Sequence, residues 1–277
     1  MNEHNHKLDY KDEVKQYTKR DAVHAMLFAV YVSLITLGYW LLMAYFEVSG
    51  IVEQLFGILV VLAALLPLFY LITRIKRQKL RSLGLHLANW KKAVYAGIFF
   101  VAVLLMLYNG LLPGLLAGWE FQPAWIMPWI VVYTLIMAFW EDVVFFGYIQ
   151  SRLYGLINKD IQAVLVGGLI FAFFHYPLVI VANIADGGSF RVEFWVNILF
   201  QTVVWLIIYL ILNAVFRRYC SIIPVTMLHF AINFANGRLW VNGGGDGLNQ
   251  MLSFGIVILS VLIVTLILPK LKNRVKS

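Results

Sequence analysis

The sequence predicts an all-α membrane protein: a polytopic bundle of about eight transmembrane helices, both termini cytoplasmic, each span near the 20 apolar residues a bilayer crossing needs. Three observations carry this expectation. Hydrophobic side chains make up 62% of the 277 residues and charged ones only 13%, about half the share of a soluble domain. The apolar residues gather in long runs separated by short basic stretches. Lysine and arginine then alternate between loops, rich in one and absent from the next.

Residues 1–24 are hydrophilic and read as a cytoplasmic tail, in which His4 and His6 alternate with asparagine in a solvated segment. The apolar run that follows is too long for a signal-peptide core and lacks a small-residue cleavage site, so it is a retained first helix. The expected spans are Ala25–Phe46, Leu55–Ile72, Ala93–Leu112, Ala124–Tyr148, Ile161–Val181, Phe194–Phe216, Ile222–Ala235 and Met251–Leu268, followed by a basic tail over 269–277. The seventh is short and interrupted by His229 and Asn233. Such a span is tolerated where it lines a cavity inside a bundle.

Loop charge fits this count. Lys7, Lys11, Lys15, Lys19 and Arg20 precede the first span, and none follows it before the second. Arg74, Lys76, Arg77, Lys79 and Arg81 follow the second, and the loop 113–123 again has none. The net charge of +8 is therefore positive-inside loop charge rather than a nucleic-acid footprint. The expected partner is a lipid bilayer, with no nucleic acid. The single cysteine, Cys220, excludes a disulfide framework and a CxxC zinc site. The segment Ser151–Asp160 mixes apolar and polar residues and reads as lying along the cytoplasmic interface. The Gly-rich loop Asn242–Gly247 lacks the strand-to-helix setting of a phosphate loop. No inverted repeat of the transporter kind is visible.

Three polar clusters interrupt the greasy sequence between Trp140 and Asn233. They are Glu141-Asp142 before Val143–Gly147, His175 after Phe171–Phe174, and His229 with Asn233. An ionised acid near the bilayer centre costs about 2.5–3.5 kcal/mol, so such groups mark function or mutual pairing. Counted from the cytoplasmic ends of their spans, Glu141, His175 and His229 fall about 12–21 Å deep at 1.5 Å per residue, within one buried layer. His229 and Asn233 are spaced i, i+4 and share a helix face, and Phe171 stands one turn from His175. Glu141 and Asp142 lie about 100° apart around an α-helix, so one is the reacting carboxylate and the other its support.

Several chemistries suit these residues. A buried carboxylate beside histidines can act as general base for a water. Two histidines and a carboxylate oxygen can instead hold Zn2+, leaving a position for that water. An asparagine amide can donate to a developing oxyanion. A membrane histidine also serves as an interhelical hydrogen-bonder, and a buried carboxylate as part of a proton or ion path. The residues alone leave a catalytic site and a transport site both open.

The order of these motifs resembles a known family. Glu141-Asp142-x-x-Phe145-x-Gly147-Tyr148, then Phe171-x-x-x-His175, then His229-x-x-x-Asn233 are similar to the three motifs of the CPBP family. These are the CAAX proteases and bacteriocin-processing (Abi) enzymes, which include the type II CAAX prenyl endopeptidases. The resemblance covers a core of about 124–236 within the membrane domain 25–268. It implies an intramembrane endopeptidase in which Glu141 activates water, Asp142 supports it, and His175, His229 and Asn233 complete the catalytic set. A metal-dependent scheme would place Zn2+ on His175, His229 and Glu141. A metal-free scheme gives the water to Glu141 and His175, and the oxyanion to His229 and Asn233. One departure stands out: the family commonly carries an arginine four residues after its second acid, where this chain has Phe146. Arg152, ten residues past Asp142, lies about 15 Å along a helix and is too distant to substitute. That departure keeps a non-catalytic immunity or scaffold protein of the same fold as the rival reading. An integral multi-pass protein, expected in a bacterial plasma membrane, follows from either.

Overall fold

A computed structural model of the chain describes residues 10–48, 50–86, 95, 120–185 and 187–234. Among them every regular element is a helix. The expected third and eighth spans, His4 and His6, the loop Asn242–Gly247 and the C-terminal tail lie outside the described residues. The chain divides into two compact units, Met1–His86 with Trp140–Ile222, and Leu87–Phe139 with Ile223–Ser277.

In the first unit a short helix α1 (Tyr10–Val14) leads into α2 (Lys19–Tyr45). Helix α2 begins six residues before the expected first span because Thr18 and Asp21 form a capping box. The Thr18 amide donates to Asp21 Oδ2 at 3.0 Å, and the Asp21 amide donates back to the Thr18 hydroxyl. The orphan donors of the first turn are thereby satisfied, and the polar stretch 19–24 is drawn into the helix. Helix α3 (Gly50–Tyr70) continues through a π-helical turn, Leu71–Ile75. Lys76 then pairs with Asp21 at 2.8 Å, joining the end of α3 to the start of α2. A 3-10 turn, Leu80–Leu83, follows and ends at Gly84 with φ +75, a left-handed cap.

Helix α4 (Met127–Asp142) runs on without a break through a π-helix, Val143–Gln150, and a last α-helical turn, Ser151–Leu153. Helices α5 (Asp160–Ala185) and α6 (Val192–Tyr219) complete the unit. Helix α5 packs along α6 and α2. Outward faces of these helices carry Leu27, Leu34, Leu59, Leu66, Leu199 and Val203 in the open, as lipid-facing stripes require.

At the end of α4, Ser151, Arg152 and Leu153 are buried. Gly155 sits so close to the Thr18 carbonyl that a β-carbon would collide with it. The turn 154–159 therefore packs on the start of α2, where Tyr10, Val14 and Tyr17 are also buried.

In the second unit, the first part of α4 meets α7 (Ile222–Asn233) through Ile130, Ala138, Phe230 and Phe234. The Phe230 and Phe234 rings stack at 5.2 Å, one turn apart. Over the described residues the expected seventh span is helical across Ile222–Asn233. Five longer helical runs, Lys19–Tyr45, Gly50–Ile75, Met127–Leu153, Asp160–Ala185 and Val192–Tyr219, are long and apolar enough to span.

Candidate active site

Glu141 and Asp142 end the α-helical part of α4, immediately before the π-helix. Side chains of the last turn reach back to the carbonyls of that π-helix. Ser151 Oγ donates to the Phe146 carbonyl at 3.1 Å, and Arg152 Nη1 donates to the Gly147 carbonyl at 2.7 Å. Arg152 also reaches the Gln78 side-chain oxygen at 2.9 Å and both the carbonyl and hydroxyl of Ser82 at 3.2 Å. Its guanidinium lies over the Tyr17 and Tyr148 rings at 4.5 and 4.6 Å. At Gly147 a β-carbon would stand 2.5 Å from the Leu83 carbonyl, so only glycine lets the loop lie this close. One buried cation thus ties the loop 78–83 to the helix that presents both acids.

The acids are placed unequally. Asp142 is fully buried, while the Glu141 side chain retains 12% exposure. Glu141 Oε2 faces His175 Nε2 at 3.9 Å. His175 Nδ1 lies 2.8 Å from the Phe171 carbonyl one turn back on α5. A carbonyl only accepts, so Nδ1 carries the hydrogen, and Nε2 is the ring nitrogen turned toward the carboxylate. Phe171 thereby contributes its backbone oxygen as well as its ring, which meets the imidazole edge-on at 4.6 Å.

Phe146, in the position where the resemblance leads one to expect arginine, is completely buried. Its ring stacks on Tyr209 of α6 at 4.9 Å, with Phe171 and Phe216 around it. The Tyr209 hydroxyl donates to the Gln150 side-chain oxygen, and Gly167 of α5 makes room for that pair. An aromatic cluster closed by one polar link occupies the place of the expected cation. Trp205, one turn before Tyr209, stacks on His175 at 4.9 Å and 24° between planes. Helix α6 carries none of the three motifs, yet it supplies both aromatic groups. Their i, i+4 spacing was the available signal, and it reads equally well as ordinary packing.

Of the sequence-derived candidates, the first unit brings Glu141, Asp142, Phe171 and His175 together. His229, buried, and Asn233, partly buried, belong to the second unit, one turn apart on α7. A catalytic zinc takes three protein ligands. Among the described residues no three His, Cys, Asp or Glu side chains gather closely enough to hold a metal ion. The donors that face each other in the first unit are Glu141 and His175.

Helical spans around a buried acid–histidine pair define a multi-pass integral membrane protein. Residues 123–235 match the family model described as Type II CAAX prenyl endopeptidase Rce1-like. That matched segment holds all three motif clusters and is similar to the CAAX-protease family. Among curated proteins, none matches the chain.

Proposed function

We propose that the chain is an intramembrane endopeptidase that hydrolyses a peptide bond in a membrane-associated peptide or protein. The observation that carries this reading is the Glu141–His175 pair, 3.9 Å apart, with the imidazole tautomer fixed by the Phe171 carbonyl. A water between these groups gives one proton to the Glu141 carboxylate as its oxygen attacks the substrate carbonyl carbon. His175 Nε2 accepts the hydrogen bond of the other proton and keeps the water in line. The negative charge that develops on the carbonyl oxygen needs hydrogen-bond donors, a role the family resemblance gives to His229 and the Asn233 amide. When the tetrahedral centre collapses, the carbon–nitrogen bond breaks and the Glu141 proton passes to the leaving amine. Asp142 holds no reacting atom and sustains the carboxylate's surroundings. The substrate class suggested by the family match is a prenylated CAAX C-terminus, and the site lies in the cytoplasmic half of the bilayer.

The second reading, a membrane scaffold or immunity protein without catalysis, rests on Phe146. One comparison separates the two. Wild type and Glu141→Gln are expressed at matched membrane levels in cells lacking the chain, and membrane and secreted peptides are profiled by mass spectrometry. A cleavage product formed by wild type and reduced at least about 100-fold by Glu141→Gln is expected, the loss typical of removing a general base. Identical profiles, with Glu141→Gln still rescuing a deletion phenotype, would establish the scaffold.

A further inference from the structure

We infer that Trp205 is the positioning residue of His175, holding the imidazole in the one orientation that turns Nε2 to Glu141; the inference rests on the endopeptidase reading above. His175 has three kinds of restraint around its ring. Phe171 and Phe174 meet it edge-on at 4.6 and 5.2 Å, and the Phe171 carbonyl accepts from Nδ1. These fix one edge of the ring and its rim. Among the described residues, Trp205 covers a face, nearly parallel at 24°. The ring can still turn about its Cβ–Cγ bond, which would break the Nδ1 hydrogen bond, release the tautomer and carry Nε2 away from the carboxylate. A flat indole against the face removes that rotation.

The indole is itself braced from both helices. Tyr176, next after His175 on α5, packs against Trp205 at 6.2 Å, and its hydroxyl lies 2.8 Å from Thr202 Oγ1 on α6. Thr202 in turn donates to the Ile198 carbonyl at 2.6 Å. Thr202, Trp205 and Tyr209 follow each other at i, i+3 and i+7 and form one face of α6. That face meets His175 through Trp205 and the Phe146 cluster through Tyr209. Pro177, two residues past His175, cannot donate to the helix ladder of α5 there, so this part of the helix depends on side-chain contacts across to α6 for its direction.

The test uses the full chain in detergent micelles with nitrogen-15 and carbon-13 label in its six histidines. His175→Ala identifies the His175 signals. Wild type should show one neutral tautomer, protonated at Nδ1, with its Hε1 proton shifted by the indole ring current. Trp205→Met keeps an apolar side chain without a face, and should mix the two tautomers. Trp205→Phe keeps a face and should preserve one tautomer, with a smaller ring-current shift. In the peptide-profile assay, Trp205→Met is expected to lose about tenfold in the rate of product formation with substrate dependence unchanged, and Trp205→Phe to recover most of it, as misorientation without lost binding requires. An unaltered tautomer in Trp205→Met, or undiminished turnover, overturns the inference. Should Trp205→Met not fold, an unchanged Hε1 shift in Trp205→Phe does the same. Wild type without any product sinks the endopeptidase reading instead, and the tautomer spectra still decide whether Trp205 orients His175.

Discussion

Phe146 shows how a single residue can be judged only by what surrounds it. A lost arginine beside two acids suggests a degraded site as long as the vacated space is imagined empty. The space is filled: Phe146 lies between Tyr209, Phe171 and Phe216 with no exposed surface. Phe146→Arg should therefore harm the protein, because the guanidinium would displace a packed ring and enter among aromatic side chains. A stability loss of roughly 3 kcal/mol is expected, the order found when a buried charge lacks a fitted partner. Thermal unfolding followed by size-exclusion chromatography would read it, and a variant as stable as wild type with raised turnover would refute the account. At this scale the motif residues were legible in the sequence, since acids and histidines in apolar runs are conspicuous. Trp205 and Tyr209 were not, because aromatic residues at helical spacing look the same whether they pack a core or hold a catalytic ring.

At the scale of elements, the π-helical stretch of α4 is the feature the sequence concealed. Counting 100° per residue assumes an α-helix, and beyond Asp142 that assumption fails for eight residues. Ser151 and Arg152 brace the stretch by donating to its Phe146 and Gly147 carbonyls. Arg152→Leu should deprive the Gly147 carbonyl and the Gln78 and Ser82 oxygens of their donor at once. A destabilisation of about 3 kcal/mol is expected from several buried acceptors losing a charged donor. Arg152→Lys should recover little, since one ammonium cannot span Gln78, Ser82 and Gly147 while lying flat on two tyrosines. Gly147→Ala probes the same junction from the other side, pushing on the Leu83 carbonyl. Limited proteolysis within 78–86 should accelerate in Arg152→Leu and Gly147→Ala, and equal cleavage rates would argue against the clamp. The early start of α2, by contrast, could have been read from Thr18-x-x-Asp21, a capping-box spacing hidden by the polar residues around it.

For the molecule as a whole, metal dependence and pH response give two further tests. With Glu141 and His175 gathered as a pair of donors, product formation is expected to survive dialysis against EDTA. Loss on chelation, with recovery on added zinc alone, would favour the scheme in which His229 joins Glu141 and His175 as a ligand. The aromatic packing of the N-terminal segment sets an alkaline limit. Burial pushes the phenols of Tyr10, Tyr17 and Tyr154 above the ordinary value near 10. A raised phenol contributes its stability in full below the unfolded value and loses it as pH climbs toward the folded one. The contact of residues 10–17 with the turn 154–159 should accordingly loosen above a pH of about 10 and hold at neutral pH. Hydrogen exchange over 10–20 at the two pH values would show it, and uniform protection would contradict it.

What the sequence determined was the class and the chemistry. Composition forces the chain into a bilayer, runs of apolar residues become helices because lipid offers no partners for backbone groups, and acids and histidines inside them mark where reaction is possible. Five of the eight expected spans stand as membrane-length helices; the first two motifs fall on two of these and the third on the shorter helix α7. What only the tertiary structure decided was which groups touch. The unequal burial of Glu141 and Asp142, the tautomer of His175, the aromatic filling around Phe146 and the indole over the imidazole all depend on contacts between α4, α5 and α6. Those contacts join residues some 30 to 70 positions apart in the chain. Periodicity reports which face of a helix is apolar, but in a chain apolar on nearly every face it carries no record of which neighbour that face will meet.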